Sequence, residues 1–412
     1  MDCHDDTTPC VGGCTPVCTR LVAELARVPD PRSRRGRRYE WVYLLTLIAA
    51  AMMSGESTVV GIAAWVRAHH SEVAAHLPGM RRMLPSRSTL RRALCAVSVE
   101  ALEEAIGRYL RTLASEMGES GQIVMRSGER LAGQAVDGKT VRGATAHSRG
   151  GQNGAKGAVT HLVAVVGHEH GLVWAQRNAP VTLDERKAAE QLLGKAALKG
   201  TVTTFDALHT SLKQARQIRT AGGEYLFVVK RNRLSLYQAI DEAFSVLPPQ
   251  GSCEEHFWQY QWCTLQRRGH GRTEHILLES TPALNDFLCF PDIAQVVRRT
   301  RTVRHHRTGQ ESRHVEYLIT SLSRSQVTLE QIAQLRRWHW TIENVVHYPR
   351  DVSFGEDRCQ THTGSAPEVL AAFRNAVAGT LHAEGWPYLP DAFRFCQSHL
   401  QTMLQWIGLP AT

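Results

Sequence analysis

Apolar residues recur at helical spacing early in the chain and at strand spacing further on. Leu21, Leu25 and Val28 mark one face of a first helix, which Pro29 and Asp30, followed by Pro31, bring to a stop. The run from Trp41 to Ser54 is apolar all round and predicts a buried helix, since a membrane span needs roughly 20 such residues. A third helix is predicted around Val59–His70. Ser86 and Ser88 are candidate N-caps for a fourth, and a fifth covers about 99–116. Residues 18–118 thus read as an all-helical domain. A Gly- and Ser-rich stretch, 118–130, reads as a linker.

From residue 131 the period changes. GQAVDGKTV, AVTHLVAVV and GLVWAQRN read as three strands. A helix over Asp184–Lys199, the strand GTVTTFDA, a helix over Ser211–Thr220 and the strand EYLFVVK follow. Hairpin-linked strands followed by a βαβ crossover predict an α/β fold with a mixed sheet. Between about 250 and 322 helical spacing disappears, and four strand-like runs predict a β-rich insertion. Helices resume in TLEQIAQLRRWHWTIENVVHY and APEVLAAFRNAVAGTLHAEG, and 386–412 reads as a C-terminal tail. The α/β domain is expected over 131–385.

The 412 residues suffice for two or three domains, and a formal net charge of +9 favours an anionic partner. Six of the ten cysteines show no pairing pattern, as in a reduced, cytoplasmic setting. Cys3, Cys10, Cys14 and Cys18 crowd the start beside His4. Their thiolates suit zinc, but the spacing is no repeated C-x2-C, and residues 1–17 read as a flexible leader.

Asp137 interrupts an apolar strand and Asp206 ends another. A carboxylate in such a place is costly unless something pairs with it, and a cation would serve both. Glu343 lies on a helix with His339 four residues before it, on the same face. Three such carboxylates have the donor chemistry for two Mg2+ ions about 4 Å apart, suited to attack at phosphorus. Each acid also has an ordinary structural reading. Asp137–Gly138 is a hairpin-turn pair, Asp206 a helix N-cap, and Glu343 a surface carboxylate.

The order of motifs narrows this. VPDPRSRRGRRYEW, LLTLIAAAMMSGESTVVGIAAW and LPSRSTLRRAL come first. AVDGKTVRGA, HLVAVV, LKGTVTTFDALHTS and GGEYLFVVKRN follow, then RRGHGRTE, YLITSL and RRWHWTIENVVHYPRDVSFGEDR. Together they resemble the DDE-type insertion-sequence transposases that include the H-repeat-associated proteins, over about residues 20–385. The resemblance implies a ribonuclease-H-like fold with the β-rich insertion ahead of the last catalytic helix. It implies Mg2+ or Mn2+, two ions in all, and cleavage and strand transfer of double-stranded DNA ends by a bacterial, nucleoid-associated protein. Two ends must be paired, so a homodimer is expected. By motif match Asp137, Asp206 and Glu343 are the catalytic and metal-binding acids. Related enzymes place Tyr and Arg before the third acid and Lys after it. Here Arg336, His339 and Arg350 hold those places. This chain departs from the pattern at Ser211, at KRNR over 230–233, and after Glu343, where Pro349 is expected to end or kink the helix. Asp351, Glu356 and Asp357 are reserve ligands, and His209 and His347 are further groups that approach the metal or serve structure.

Lys139, Arg142, His339 and Arg350 are candidate DNA contacts, as is the cluster Arg32, Arg34, Arg35, Arg37 and Arg38. A second cluster runs from Arg298 to Arg307. GHGR, with His270 and Arg272, is either a contact or a plain hairpin turn. The competing reading is a DNA-binding relative without catalysis. A nuclease that cuts without joining is a third.

Overall fold

The computed structural model describes residues 20–35, 37–77, 84–118, 121–144, 160–168, 170–179, 184–246 and 259–410. The leader and the four N-terminal cysteines lie outside them, as do Cys253 and the first residues of the insertion.

Five helices come first: α1 (Leu21–Leu25), α2 (Trp41–Met53), α3 (Val59–Ala75), α4 (Arg87–Ala96) and α5 (Val99–Glu116). The hydroxyls of Thr58, Ser86 and Ser98 cap α3, α4 and α5 by accepting backbone N–H bonds. α2 is buried almost throughout, as its apolar run predicts. Among the described residues no helix is long and apolar enough to cross a membrane.

The α/β part follows as β1 (Gln122–Val124), β2 (Arg130–Val141), β3 (Thr160–Gly167), β4 (Val173–Asn178), α6 (Glu185–Leu193), β5 (Thr201–Phe205), α7 (Leu212–Thr220), β6 (Glu224–Val229) and α8 (Leu234–Ser245). Next come β7 (Gln261–Gly269), β8 (Arg272–Thr281), β9 (Gln295–His305) and β10 (Glu311–Thr320). The chain closes with α9 (Leu329–Trp338), a π-helical turn over Ile342–His347, α10 (Tyr348–Val352), α11 (Ala366–Ala383), α12 (Leu389–Ser398) and α13 (Leu400–Trp406).

All ten strands form one mixed sheet in the order β4-β3-β2-β5-β6-β10-β9-β8-β7, with β1 on β2. β2 pairs antiparallel with β3 and parallel with β5, and β5 pairs parallel with β6. This is the ribonuclease-H-like arrangement expected. The β-rich insertion is no separate body: β10 pairs with β6, so it extends the same sheet. The GHGR segment is a two-residue hairpin loop between β7 and β8. His270 and Gly271 both have positive φ, as a primed turn requires.

One sheet face packs Val136, Phe205, Phe227 and Val229 under α6, α7 and α8. On the other, Ala135, Ala164 and Val166 share a core with α11 and with the N-terminal helices. Further along that face, Leu226, Val228 and Leu318 lie under α9. The helical domain and half the sheet therefore share one core. Within the stretch expected as a tail, 389–406 instead form α12 and α13, whose Phe393, Met403 and Leu404 enter that core.

Candidate active site

Side chains alternate between faces along a strand, so Asp137 follows Ala135 on the face that packs against the N-terminal helices and α11. β2 and β5 pair in parallel with Val136 opposite Phe205. The next step along both strands brings Asp137 and Asp206 to neighbouring positions, where Asp206 remains in extended conformation. Asp206 thus stands just past the carboxyl end of β5, and Asp137 lies within β2 one step beyond its last parallel pair with β5, both on one face.

Glu343 comes to that face from above. α9 ends at Trp338, and the chain re-forms as the π turn Ile342–His347. Ile342 and Val346 anchor the turn in the core below. Pro349 does not end the helix: it falls in the first turn of α10, behind the π turn, so the shift in hydrogen-bond register precedes the residue that cannot donate.

Carboxylate oxygens of Asp137 and Glu343 and a ring nitrogen of His347 lie within 4.8 Å of one another, and His347 Nδ1 is 3.5 Å from Glu343 Oε2. A second group within the same limit joins Asp137 to Glu185 and His209. Asp137 is common to both and takes no lysine or arginine salt bridge among the described residues. Burial pushes its carboxyl above the usual range, countered by His347 and the Gly138 N–H and reinforced by Glu343. Glu343 is held low, first by its bond with His347. A half-buried pair of hard oxygen donors without a basic partner on one of them fits a divalent cation.

Asp206 belongs to neither group. Its Oδ1 lies 3.0 Å from Lys230 Nζ. Burial raises its carboxyl, but the Ala207 N–H and Lys230 outweigh that and keep it low. The three acids share a face and two of them share a cluster, while the third is held by a lysine.

A buried polar network underlies β5. Thr204 Oγ1 donates to the Gln134 carbonyl at 3.2 Å. It also meets His168 Nε2 and His339 Nδ1, each at 2.9 Å. With the hydroxyl proton committed, both imidazoles donate to it. Burial pushes His339 down to about 4 and His168 well below its ordinary value, so both are neutral.

Several expected contacts are corrected. Arg350 is 2% exposed and forms a two-pronged bond with Glu356, 2.9 Å at each end, so it does not meet DNA phosphate. Glu356, fully buried, also accepts from Arg374 at 2.8 Å, and so is no spare metal ligand. Lys139 Nζ pairs with Asp351 Oδ1 at 2.6 Å. Asp357 accepts from the Arg142 N–H at 3.1 Å. His339 is buried on Thr204 and cannot reach a phosphate. The Arg142 side chain is open to solvent, as are Arg34, Arg35 and Arg38. Arg32 and Arg37 bridge to Asp30.

Sequence reasoning missed Glu185, His161 and Lys230. Glu185 Oε1 lies 2.8 Å from His209 Nε2 and its Oε2 3.0 Å from His161 Nε2. Burial raises the Glu185 carboxyl, but these two imidazoles hold it far below the ordinary value. Gly138 makes room: a Cβ there would come within 2.3 Å of Glu185 Oε1. The D-G pair read as a turn is therefore a strand position emptied for Glu185.

Comparison with known proteins agrees with this architecture. The transposase DDE domain matches residues 130–378, and a DDE_Tnp_1-associated domain matches 22–110. Over 374 residues the chain is 25% identical to YbfL of Escherichia coli K12. It is as similar, over the same length, to YhhI of that strain, whose name is that of an H repeat-associated transposase. Each alignment covers 88% of this chain and 90% of the relative. A piggyBac transposase synaptic complex with hairpin DNA aligns with a TM-score of 0.43 at 8% identity, over 94% of this chain and 78% of that one. With the domain match spanning most of the sheet and all three acids, the chain belongs to the DDE transposase family.

Proposed function

We propose that this protein cuts and joins the double-stranded DNA ends of a bacterial insertion sequence, with Asp137, Asp206 and Glu343 as its metal-binding acids. The observation that carries the reading is the strand register that makes Asp137 and Asp206 neighbours on the face Glu343 approaches. The donors are hard oxygens, as Mg2+ or Mn2+ require. When bound there, such ions activate a water or a 3′-hydroxyl and stabilise the leaving oxygen in an in-line displacement at phosphorus.

The protein's own part is positioning. Asp137, shared by both clusters, would help hold the ions. Asp206, now paired with Lys230, would supply a further carboxylate to them. The Thr204 network fixes the backbone on which Asp206 stands. Arg142, Arg34, Arg35 and Arg38 take phosphates, and two copies act on two paired ends.

The reading is tested by incubating purified protein with its flanking DNA and Mn2+. Nicking and strand transfer are expected, and are lost in Asp137→Ala and Asp206→Asn. Short inverted repeats are expected beside the gene. Binding without cleavage by the unaltered protein would instead favour a non-catalytic DNA-binding relative, for which the Lys230–Asp206 ion pair is the supporting observation.

A further inference from the structure

Away from the acids, the β-rich insertion and the catalytic helix enclose a cleft of about 960 Å3. One wall is the strand surface bearing Arg267, Arg299 and Arg301. The other is the end of α9 and the start of the π turn, with Arg336, Arg337 and Trp340. Seven arginines line it against two glutamates, Glu274 and Glu316. Those two are already taken, Glu316 by Arg336 at 2.7 Å and Arg299 at 3.5 Å, Glu274 by Arg272 at 2.9 Å. Arg267, Arg268 and Arg337 have no ion-pair partner among the described residues. Burial and neighbouring guanidiniums push Arg267 and Arg299 below the ordinary arginine value, and Arg299 Nε is buried without a partner.

Such crowding is unfavourable unless an anion occupies the space. The cations are spread along the trough from the β7–β8 hairpin to Asn344, rather than converging on one point. That spacing suits a chain of phosphates better than a single small anion. Trp340 is 57% exposed on the same wall. An indole beside guanidiniums offers a stacking platform that any base can use. Arg299 and Arg301 stand opposite Leu278 and Ile276 on the sheet face beneath α9, and the turn that closes the cleft carries Glu343.

We propose that this cleft grips the backbone of a single DNA strand beside the turn that carries Glu343, with Trp340 stacked on one of its bases. The choice of DNA rests on the transposase reading; the polyanion and the base stacking rest on the cleft itself.

The test uses full-length protein, a short fluorescent oligothymidylate and EDTA, with anisotropy followed over a range of KCl concentrations. Arg268→Glu and Arg337→Glu are each expected to weaken binding by about tenfold and to lower the salt slope by about 0.7. Trp340→Ala is expected to weaken it by about tenfold at an unchanged slope. Arg394→Glu, an exposed change on α12, should bind normally. Unaltered binding and slope in both charge reversals, or no binding by the wild type, would overturn the proposal. Unaltered binding in Trp340→Ala overturns the stacking, and a duplex bound as tightly overturns the single-strand preference. Wild-type protein that binds the strand through the cleft yet never nicks DNA sinks the catalytic reading alone. Charge-reversal variants that bind and nick normally sink the cleft alone.

Discussion

Asp137 and Asp206 are separated along the chain by the same offset that sets the register between β2 and β5. That spacing is a pairing distance. It makes the two carboxylates neighbours because the strands beneath them are neighbours.

Relieving Asp137 of its charge should uncouple fold from activity. Asp137→Asn removes a desolvated carboxylate facing Glu343. Thermal unfolding without metal should show a midpoint equal to or above that of the wild type. The rise that Mn2+ gives the wild type should vanish, and nicking with it. A midpoint several degrees lower would mean that Asp137 holds the fold.

Lys230→Met should tighten Mn2+ binding several-fold, because Lys230 competes for Asp206. Both partners are partly exposed, so the loss of folding stability should stay below about 1 kcal/mol. Calorimetric titration with Mn2+ reads the first effect and denaturant titration the second. Weaker binding would show that Lys230 assists the ion.

Glu356→Gln leaves the buried guanidiniums of Arg350 and Arg374 without their carboxylate. A loss of about 3–5 kcal/mol is expected in urea unfolding. Burial raises the Glu356 carboxyl, but Arg350 and Arg374 bring it down to about 2. A lowered folded value means the stabilisation is complete above the ordinary carboxylate range and is lost as pH falls from about 4.5 toward 2. Wild-type and Glu356→Gln unfolding midpoints should converge over that acid range. Parallel curves would contradict the assignment.

Thr204→Val removes the acceptor for two imidazole N–H groups and the donor to Gln134. Destabilisation of about 1–3 kcal/mol is expected. NMR of the ring nitrogens should show His339 protonated at Nδ1 in the wild type, with that pattern lost in the variant. A retained pattern would mean that another group orients the ring.

Gly138→Ala should lower activity more than stability. The added methyl displaces Glu185 from His161 and His209, beside Asp137. Glycine at 138 is needed for space, and a variant that nicks DNA normally would argue that Glu185 has no part in the site.

The sheet was legible because its strands announce themselves. β3 and β6 carry continuous apolar runs, and β5 is a buried β-branched run ending in Phe205. The acids stood out by interrupting that pattern. What escaped depended on contacts that no local period encodes. Arg350 holds the motif place of a DNA-facing cation, yet its partner Glu356 and neighbour Gln176 draw it into the core. Glu185 opens an amphipathic helix and looks like a first-turn acid, and only the parallel pairing of β2 with β5 brings His209 to it. α12 and α13 were invisible because Pro, Trp and Tyr break up 386–390, and their apolar faces find their match hundreds of residues away.

That last match has a genetic corollary. The Val22 N–H donates to the Ile407 carbonyl at 3.0 Å, and Leu21, Leu25, Met403 and Ile407 are buried in the same interior. A polypeptide stopped before Ala366 leaves the apolar sides of α2 and α5 uncovered and open to proteolysis or aggregation. Gene copies broken by truncation would therefore leave no durable fragment of this protein.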